Sequence, residues 1–456
     1  MKPNAEKSYK AVILIGGPQK GTRFRPLSLD CPKPLFPIAG IALLLLDEEL
    51  NAIFQFQIPG LKEILFIGFY QPNDHWATFI SDIQGQYSTV NIRYLICCCF
   101  DFIYFVYCDF FQRYLQEFAP LGTAGGIYHF RDQILLGGTD ACFVLNADVC
   151  GDLPLMEMVD QLNILIDKQS VAESIFLMLT TEAAREQSLN FGCAAIDDSS
   201  EIIHYVEKPT TFLSKWINCG VYLMQMGILD TLADVFKNKT LISNSNNGFT
   251  SEALEAMNFE KDVFPKIAGH SMLFALKTTR WWSQLKTASA AIYANRHYLN
   301  LYHTTHPERL TRKGEPTILG DVYIHPSVEV HPSCVIGPNV SIGKNVKIGI
   351  GVRIKESIIL DGATLQDHCC VMFSVVGWNT HVGLWCRIEG TAEGPNPNMP
   401  FAKLECKPLF LPNGRLNPSI SVIGCNVSIS DETMIMNSIV LPHKELASNY
   451  KNQIIL

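Results

Sequence analysis

The chain has 456 residues, a length that suits two or three domains rather than one. Hydrophobic residues make up 48% of the sequence and charged residues 18%, a balance typical of globular proteins with a large core. The formal net charge of −8 argues against nucleic-acid binding, which favours a basic surface.

The N-terminal sequence and the cysteines indicate a cytoplasmic protein. Met1 to Lys10 is polar, and the apolar run Ala11–Ile15 is too short for the hydrophobic part of a signal peptide. Three of the 15 cysteines, Cys97 to Cys99, are consecutive, and the spacing of the set fits neither a disulfide framework nor a zinc site. We therefore expect reduced thiols.

The segment Ile96 to Phe111 is almost entirely apolar and aromatic. It is shorter than the roughly 20 residues of a membrane span, and it contains Asp101 and Asp109, so no membrane segment is predicted. The tripeptide Arg-Tyr-Leu occurs on both sides, at 93–95 and at 113–115. This repetition indicates an insertion over 96–113, either a natural loop or translated non-coding sequence.

Residues 10–300 alternate between short apolar runs and helix-length segments. The helix-length segments include Ile41–Phe56. Such alternation predicts a doubly wound α/β sheet. The runs expected to form buried parallel strands are Ala11–Ile15, Glu63–Gly68, Cys142–Leu145 and Ser174–Leu179.

A six-residue period begins near Pro316 and predicts a parallel β-helix over 316–456. Aliphatic side chains recur in two phases: Ile324, Val330, Ile336, Ile342, Ile348, Ile354 and Leu360, and Val328, Cys334, Val340, Val346, Val352 and Ile358. The period is interrupted after Leu360, partly resumes at Val376 and Val382, and returns after Ile420. Thr391–Asn417, rich in Pro, Asn and Gly, is predicted to be a long loop.

A glycine-rich loop directly follows the first predicted strand. Gly16 and Gly17 allow a phosphate to approach the backbone closely, and bare N–H groups form an anion nest. Arg23 and Lys33 add the cations that phosphoryl chemistry requires. The combination predicts a phosphate-binding site.

The sequence resembles the sugar-1-phosphate nucleotidyltransferases, and among them the mannose-1-phosphate guanylyltransferases. The resemblance implies a Rossmann-like, glycosyltransferase-A-type domain followed by a left-handed β-helix of hexapeptide repeats. It rests on the glycine-rich loop with Arg23 and Lys33, and on the segments Gln116-Glu117, Pro120–Gly125, Val144–Val149, Asn190–Gly192, Tyr205–Pro209, Ile217–Tyr222, Lys261–Pro265 and Leu441–Lys444.

The resemblance also implies residue roles. Arg23 and Lys33 would hold the triphosphate, and Asp148 would bind magnesium. Glu117, Gly122 and Thr123 would lie near the base and the ribose, and Glu207, Lys208 and Asn218 would meet the sugar and its phosphate. The residues expected to bind GDP-mannose are Gly16, Gly17, Glu117, Gly122, Thr123, Gly192, Glu207, Lys208, Asn218 and Lys261.

Two features depart from the active members of the family. Three residues, Pro18 to Lys20, lie where active members carry one, and this insertion shifts the phosphate nest relative to Arg23. Gln284 occupies the position of a second metal-binding aspartate. A neutral amide is a poor ligand for magnesium, so we expect weak Mg²⁺ binding and only vestigial catalytic roles for Arg23 and Lys33.

These departures resemble the alpha-type, regulatory branch of the family. The resemblance implies a GDP-mannose-binding subunit that feedback-inhibits a catalytic beta-type subunit and forms homo- and hetero-oligomers through its β-helix. An active guanylyltransferase and a non-binding assembly protein remain alternatives. The loop 391–417 is expected to contact the catalytic partner, with a disordered insertion of no function as the alternative. An acyltransferase role for His325, His331 or His368 is disfavoured, because all three fall at corner positions of the repeat.

Overall fold

The computed structural model describes residues 7–17, 21–42, 58–70, 111–117, 119–168, 174–245, 256–311, 314, 316–405 and 407–456, with only the backbone at 111–114, 116 and 240–245. The chain packs as two compact units. Among the described residues, the first comprises 7–17, 58–70, 111–282 and 397–403, and the second comprises 21–42, 283–396 and 404–456.

The first unit is built on a mixed nine-stranded sheet. Its strand order is β10-β9-β11-β6-β1-β4-β5, and β8 joins β11 to β12. The strands of this unit are β1 Tyr9–Gly16, β4 Leu61–Gly68, β5 Phe111–Gln116, β6 Ala141–Asn146, β7 Val149–Gly151, β8 Phe176–Glu182, β9 Gly192–Ile196, β10 Ile202–Glu207, β11 Trp216–Gln225 and β12 Leu273–Thr278.

All four predicted strands are present in this sheet, as β1, β4, β6 and β8. The prediction of parallel pairing is confirmed for β1, which pairs parallel to β4 and β6. It is only partly correct for β6 and β8, because β11 runs antiparallel to both of them. Phe111 to Arg113, assigned from the sequence to the end of an insertion, instead begin β5, which pairs parallel to β4. The rest of that insertion lies outside the described residues.

Helices flank the sheet, and an aromatic cluster forms the core beside the predicted site. Phe176 of β8 and Tyr222 of β11 pack at ring-centroid distances of 5.1 to 5.8 Å against Phe259 and Phe264. The helices are α1 Gly122–His129, α2 Arg131–Leu135, α3 Leu155–Lys168, α4 Arg185–Ser188, α5 Ile228–Ser245, the π-helical turn Phe259–Val263 and α6 Phe264–Ile267.

The second unit joins a β-helix to the segment 21–42 and to a long helix. The elements outside the β-helix are the 3₁₀ turns Thr22–Phe24, Lys33–Leu35 and Pro307–Arg309, strands β2 Pro37–Ile38 and β3 Ile41–Ala42, and helix α7 Ala288–Thr305. Strand β13, Trp282–Gln284, begins at Trp282, the last residue of the first unit's main segment. Ile41 and Ala42 were expected to begin a helix and instead pair with β2 as a hairpin. Residues 43–57 of that expected helix lie outside the described residues.

The β-helix prediction is confirmed. Its strands stack into three parallel sheets, and both aliphatic phases face its core as far as Ile354. Ile358 and Leu360 are buried outside that core, and Ile359 takes the core position instead. Its strands are β14 Thr317–Ile318, β15 Val322–Ile324, β16 Val335–Ile336, β17 Val340–Ile342, β18 Lys347–Ile348, β19 Arg353–Lys355, β20 Ile358–Ile359, β21 Thr364–Leu365, β22 Cys370–Met372, β23 Ser374–Val376, β24 His381–Val382, β25 Arg387–Glu389, β26 Ser421–Ile423, β27 Ser428–Ile429, β28 Met434–Met436, β29 Ile439–Val440, β30 Glu445–Leu446, β31 Tyr450–Lys451 and β32 Ile454–Ile455.

The apparent break after Leu360 reflects a change of phase between Ile354 and Ile359 rather than the end of the repeat. Val335 pairs with Arg353, 18 residues later, whereas Ser341 pairs with Ile358, 17 residues later. A coil shorter by one residue shifts the six-residue period but keeps the strands stacked. The loop after β25 interrupts the coil, because Ser374 pairs with Ser421, 47 residues later.

Among the described helices, none combines the length and the apolar character that crossing a bilayer requires.

Candidate functional site

Three strand ends bring Gly16 and Glu117 to one edge of the first unit's sheet. The N–H of Phe69 donates to Gly16 O at 2.7 Å, and the N–H of Glu117 donates to Gly68 O at 2.8 Å. The Glu117 side chain is buried. A Cβ atom on Gly126 would lie 2.4 Å from Glu117 Oε1, so helix α1 has space for this carboxylate only because residue 126 is glycine. Gly17 follows Gly16 against Phe69.

The start of helix α1 is tied to the π-helical turn. Gly122 has φ +81°, and a Cβ atom there would meet Met257 O at 2.5 Å. Both the backbone conformation and the close contact therefore require glycine at this position. Thr123 Oγ1 donates to Glu260 Oε2 at 3.0 Å and accepts from the Phe259 N–H at 3.0 Å. Lys261 lies on the same turn with an exposed side chain. The structure thus brings Gly122, Thr123 and the Lys261 turn together.

Glu207 and Asn218 belong to one buried hydrogen-bond network. Asn218 Nδ2 donates to the hydroxyls of Tyr205 at 3.2 Å and Tyr222 at 2.8 Å, and Asn218 Oδ1 accepts from the Gly220 N–H at 2.8 Å. The Tyr205 hydroxyl donates to Glu207 Oε2 at 3.2 Å. The network holds both predicted sugar-binding side chains in fixed positions.

The electrostatics of this network keep both phenols protonated. Burial, followed by the Glu207 carboxylate, raises the pKa of Tyr205 well above its ordinary value. Burial also raises the pKa of Tyr222, with Glu260 adding to the effect. Each tyrosine therefore remains a hydroxyl that can both donate and accept.

Gly192 lies against this network, and only glycine fits there because the Tyr205 and Glu207 side chains approach its backbone closely. A Cβ atom at 192 would lie 2.0 Å from the Tyr205 hydroxyl oxygen and 2.7 Å from Glu207 Oε2. The sequence motifs pointed to Gly192, Glu207 and Asn218 but gave Tyr205 and Tyr222 no role. The available signal was that Tyr205 and Glu207, two residues apart on β10, share a face.

Lys208, directly after Glu207, and Asp148 each follow the end of a strand. Lys208 has φ +49°, its N–H donates to Phe191 O at 3.1 Å, and its side chain is exposed. Asp148 lies in the turn between β6 and β7, which the N–H of Ala147 ties to Leu14 O at 3.0 Å.

Arg23 and Lys33 pack in the second unit, whereas the other predicted ligand-binding residues belong to the first. Arg23 is exposed on a 3₁₀ turn, and Lys33 begins another. A Cβ atom on Gly21 would lie 3.5 Å from Lys33 Cδ, so the end of the glycine-rich loop lies beside this lysine.

Known protein families match this chain over both of its predicted domains. The family model described as nucleotidyl transferase matches residues 10–300, and the model described as GMPPB C-terminal domain matches 318–455. The mannose-1-phosphate guanyltransferase alpha-B of Xenopus laevis is 52% identical over 98% of this chain and 100% of its own length. This chain belongs to the alpha-type mannose-1-phosphate guanylyltransferase family.

Two further members of the alpha-type family carry the words regulatory subunit in their names. The Danio rerio regulatory subunit alpha-A is 52% identical and the Homo sapiens regulatory subunit alpha is 50% identical, each over 98% of this chain and 100% of its own length. A solved structure whose title names a glucose-1-phosphate thymidylyltransferase from Bacillus anthracis aligns with a TM-score of 0.45 and 18% identity, over 64% of this chain and 95% of that one. That likeness is too distant to add to the family evidence.

Nucleotidyl transferases commonly use Mg²⁺, but the donors predicted to hold it here do not form a suitable set. The two donors are Asp148 and Gln284, and only Asp148 is a carboxylate. Gln284 Oε1 is buried and, within the described part of the chain, accepts no hydrogen bond. A neutral amide oxygen cannot replace the carboxylate charge that a phosphate-bridging magnesium ion requires. Asp148 and Gln284 therefore do not supply the two carboxylates that such an ion would require.

A segment of the predicted long loop packs into the first unit of the same chain. Gln187 and the backbone of Lys403 form two hydrogen bonds, from Gln187 Nε2 to Lys403 O at 2.8 Å and from Lys403 N to Gln187 Oε1 at 2.7 Å. Lys403 Nζ lies 3.4 Å from Thr181 Oγ1 and 5.6 Å from the ring centroid of Trp282. Burial lowers the pKa of the Lys403 ammonium. No sequence motif indicated this contact.

The surface that receives Lys403 adjoins the hydrogen-bond network. Trp282 Nε1 donates to Cys219 O at 2.9 Å, and Cys219 directly follows Asn218 on β11. The Trp282 and Phe191 rings also pack in a T-shaped arrangement, at a centroid distance of 5.8 Å, and Phe191 O accepts from the Lys208 N–H. The loop segment therefore contacts residues next to two predicted ligand-binding side chains.

Proposed function

We propose that this chain is a GDP-mannose-binding, non-catalytic subunit that regulates a catalytic beta-type guanylyltransferase in GDP-mannose biosynthesis. One observation carries the proposal. The network that positions Glu207 and Asn218 is complete, yet Gln284 stands where active members carry a metal-binding aspartate.

Binding without turnover follows from the charges involved. GDP-mannose lacks the γ-phosphate of GTP, so it needs less cationic charge than a reacting triphosphate. In this proposal, Glu207 and Asn218 meet the mannose, Lys208 meets its phosphate, and Glu117 with the Gly122–Thr123 turn meets the nucleoside. Asp148 alone would hold Mg²⁺ weakly.

The loop segment offers a path from the pocket to a partner. Lys403 rests on Trp282 and Thr181, and Trp282 is bonded to the residue after Asn218. A ligand that shifts Asn218 therefore changes the surface on which the loop packs. We propose that this loop transmits pocket occupancy to the catalytic subunit, with assembly through the β-helix.

Ligand binding is tested by calorimetric titration of the purified chain with GDP-mannose. Replacement Lys208→Ala should weaken binding about tenfold or more, because a hydrogen bond to a charged group contributes about 1.5–3 kcal/mol. The matched control is Lys237→Ala, an exposed lysine of helix α5, which should leave binding unchanged. Absence of binding at about millimolar ligand would contradict the proposal and favour an assembly protein.

Catalysis is tested by pyrophosphate release from GTP, mannose-1-phosphate and Mg²⁺. We expect little or none from the isolated chain. Turnover of about 1 per second or more, the range of ordinary enzymes, would show that the chain is an active guanylyltransferase instead.

Transmission is tested by replacing Ala392–Leu416 with a short Gly-Ser turn. The complex with the catalytic subunit should still assemble, but GDP-mannose should no longer alter the partner's activity. Regulation that survives this deletion would exclude the loop as the transmitting element.

A further inference from the structure

Three side chains with metal-ligand chemistry converge within the second unit, which contains none of the residues assigned to GDP-mannose. Asp30, Cys425 and His443 each offer one donor atom, and these atoms all lie within 4.8 Å of one another. The Cys425 thiol donates to Asp30 Oδ2 at 2.7 Å. Thiolate, imidazole and carboxylate are the ligands that zinc takes in proteins.

The β-helix coils build this cluster. Cys425 is a buried corner residue between β26 and β27. His443 occupies a corner of the next coil, where its N–H donates to Cys425 O at 2.9 Å and its backbone has φ +59°. Asp30 comes from the segment 21–42, which packs in the same unit.

The spacing of the donors suits a tetrahedral ion. Zinc lies about 2.3 Å from sulfur and about 2.0–2.2 Å from nitrogen and oxygen, which places tetrahedral ligands roughly 3.3–3.8 Å apart. All three separations fall within 4.8 Å, so small side-chain rotations reach that geometry. Asn426 Nδ2 lies 3.6 Å from Cys425 Sγ, where an outer donor supports a bound thiolate.

We propose that Asp30, Cys425 and His443 form a zinc site, with water as the fourth ligand. On binding, the Cys425 S–H bond breaks, an S–Zn bond forms, and the proton leaves to solvent without any change of oxidation state. The ion ties Asp30 to the β-helix. Asp30 precedes by three residues Lys33, which begins the 3₁₀ turn predicted to bind phosphate, so the ion fixes the start of that turn.

These three ligands form no local motif, so the sequence alone does not predict a zinc site. Asp30 and Cys425 are 395 residues apart, and only the folding of the second unit brings them together.

The test uses the full-length chain, stripped of metal with a chelator and titrated with Co²⁺ as a probe for zinc. One equivalent should produce a thiolate-to-cobalt charge-transfer band in the near ultraviolet and the visible bands of tetrahedral cobalt, all displaced by zinc. Cys425→Ser should abolish the charge-transfer band. Asp30→Asn and His443→Asn should weaken binding by about 100-fold or more, the upper end of the loss caused by removing outer partners alone.

The controls are residues of the same types elsewhere in the β-helix. Cys370→Ser and His331→Asn should leave the cobalt spectrum unchanged. Asparagine is chosen at 443 because it tolerates the left-handed backbone, and Asp30 is exposed, so both variants should fold. They keep the proposal testable if Cys425→Ser fails to fold. Zinc should also raise the thermal unfolding midpoint of the parent, but not of Asp30→Asn.

A charge-transfer band that survives Cys425→Ser, or no band at saturating cobalt, would overturn the proposal. Equal zinc stabilisation of the parent and of Asp30→Asn would do the same. None of these outcomes bears on GDP-mannose binding, which the calorimetric titration measures separately.

Discussion

Replacing Gly192 with alanine should disrupt the network around Asn218 while leaving the sheet intact. The new Cβ would lie 2.0 Å from the Tyr205 hydroxyl oxygen and 2.7 Å from Glu207 Oε2, whereas ordinary contacts start near 3.4 Å. The Tyr205 oxygen must therefore move by about 1.4 Å. Such a movement breaks its 3.2 Å bonds to Glu207 and Asn218.

The size of the effect follows from these two losses. Two hydrogen bonds contribute about 1–3 kcal/mol together, and overpacking of a filled site costs about 1–3 kcal/mol more. The free energy of unfolding should therefore fall by about 2–6 kcal/mol. GDP-mannose affinity should fall about tenfold or more, because Glu207 loses the partner that orients it.

Denaturant unfolding and calorimetric titration with GDP-mannose measure the two effects of Gly192→Ala. The control is Gly394→Ala, where an added Cβ meets nothing within 4 Å and neither quantity should change. An unfolding midpoint equal to the parent's would show that the network contributes nothing to stability. Unchanged affinity would refute the placement of Glu207 in the sugar site.

Three further predictions concern single side chains. Gln284→Met should raise the free energy of unfolding by about 1–3 kcal/mol, because it removes an amide oxygen that is buried without a hydrogen bond among the described residues; a decrease in denaturant unfolding would contradict this. Asn218→Leu should lower the free energy of unfolding by about 2–4 kcal/mol, and with it the thermal unfolding midpoint, because two tyrosine hydroxyls and the Gly220 N–H lose their partner; Asn300→Leu, at an exposed position of helix α7, is the control. Gln187→Ala should speed proteolytic cleavage near Lys403, because it removes both bonds to that backbone; cleavage at the parent rate would show that the loop is held by other contacts.

The β-helix could be predicted from the sequence because its period is local. Each coil repeats the same aliphatic positions, and the stacked strands bury them together. The phase change between Ile354 and Ile359 was harder to interpret, because shortening the coil by one residue moves the six-residue pattern without breaking the stack. The hairpin of Ile41 was missed because a two-residue strand has no periodicity of its own.

The site could be predicted only as far as its motifs extend. Glu207 and Asn218 stand in recognisable segments, but their connection through Tyr205 and Tyr222 depends on the irregular register of β11. Asn218 pairs with Thr180 and Tyr222 with Met178, so the three residues between them on β11 lie opposite a single residue of β8. Contacts over long separations, such as that of Gln187 with Lys403, leave no local signal at all.

The most direct test of the regulatory role is the turnover of the catalytic beta-type subunit, measured at rising GDP-mannose concentration with and without this chain. We expect GDP-mannose to lower turnover more strongly when the chain is present, and Lys208→Ala in the chain to remove this additional inhibition. The same GDP-mannose response with and without the chain would contradict the account.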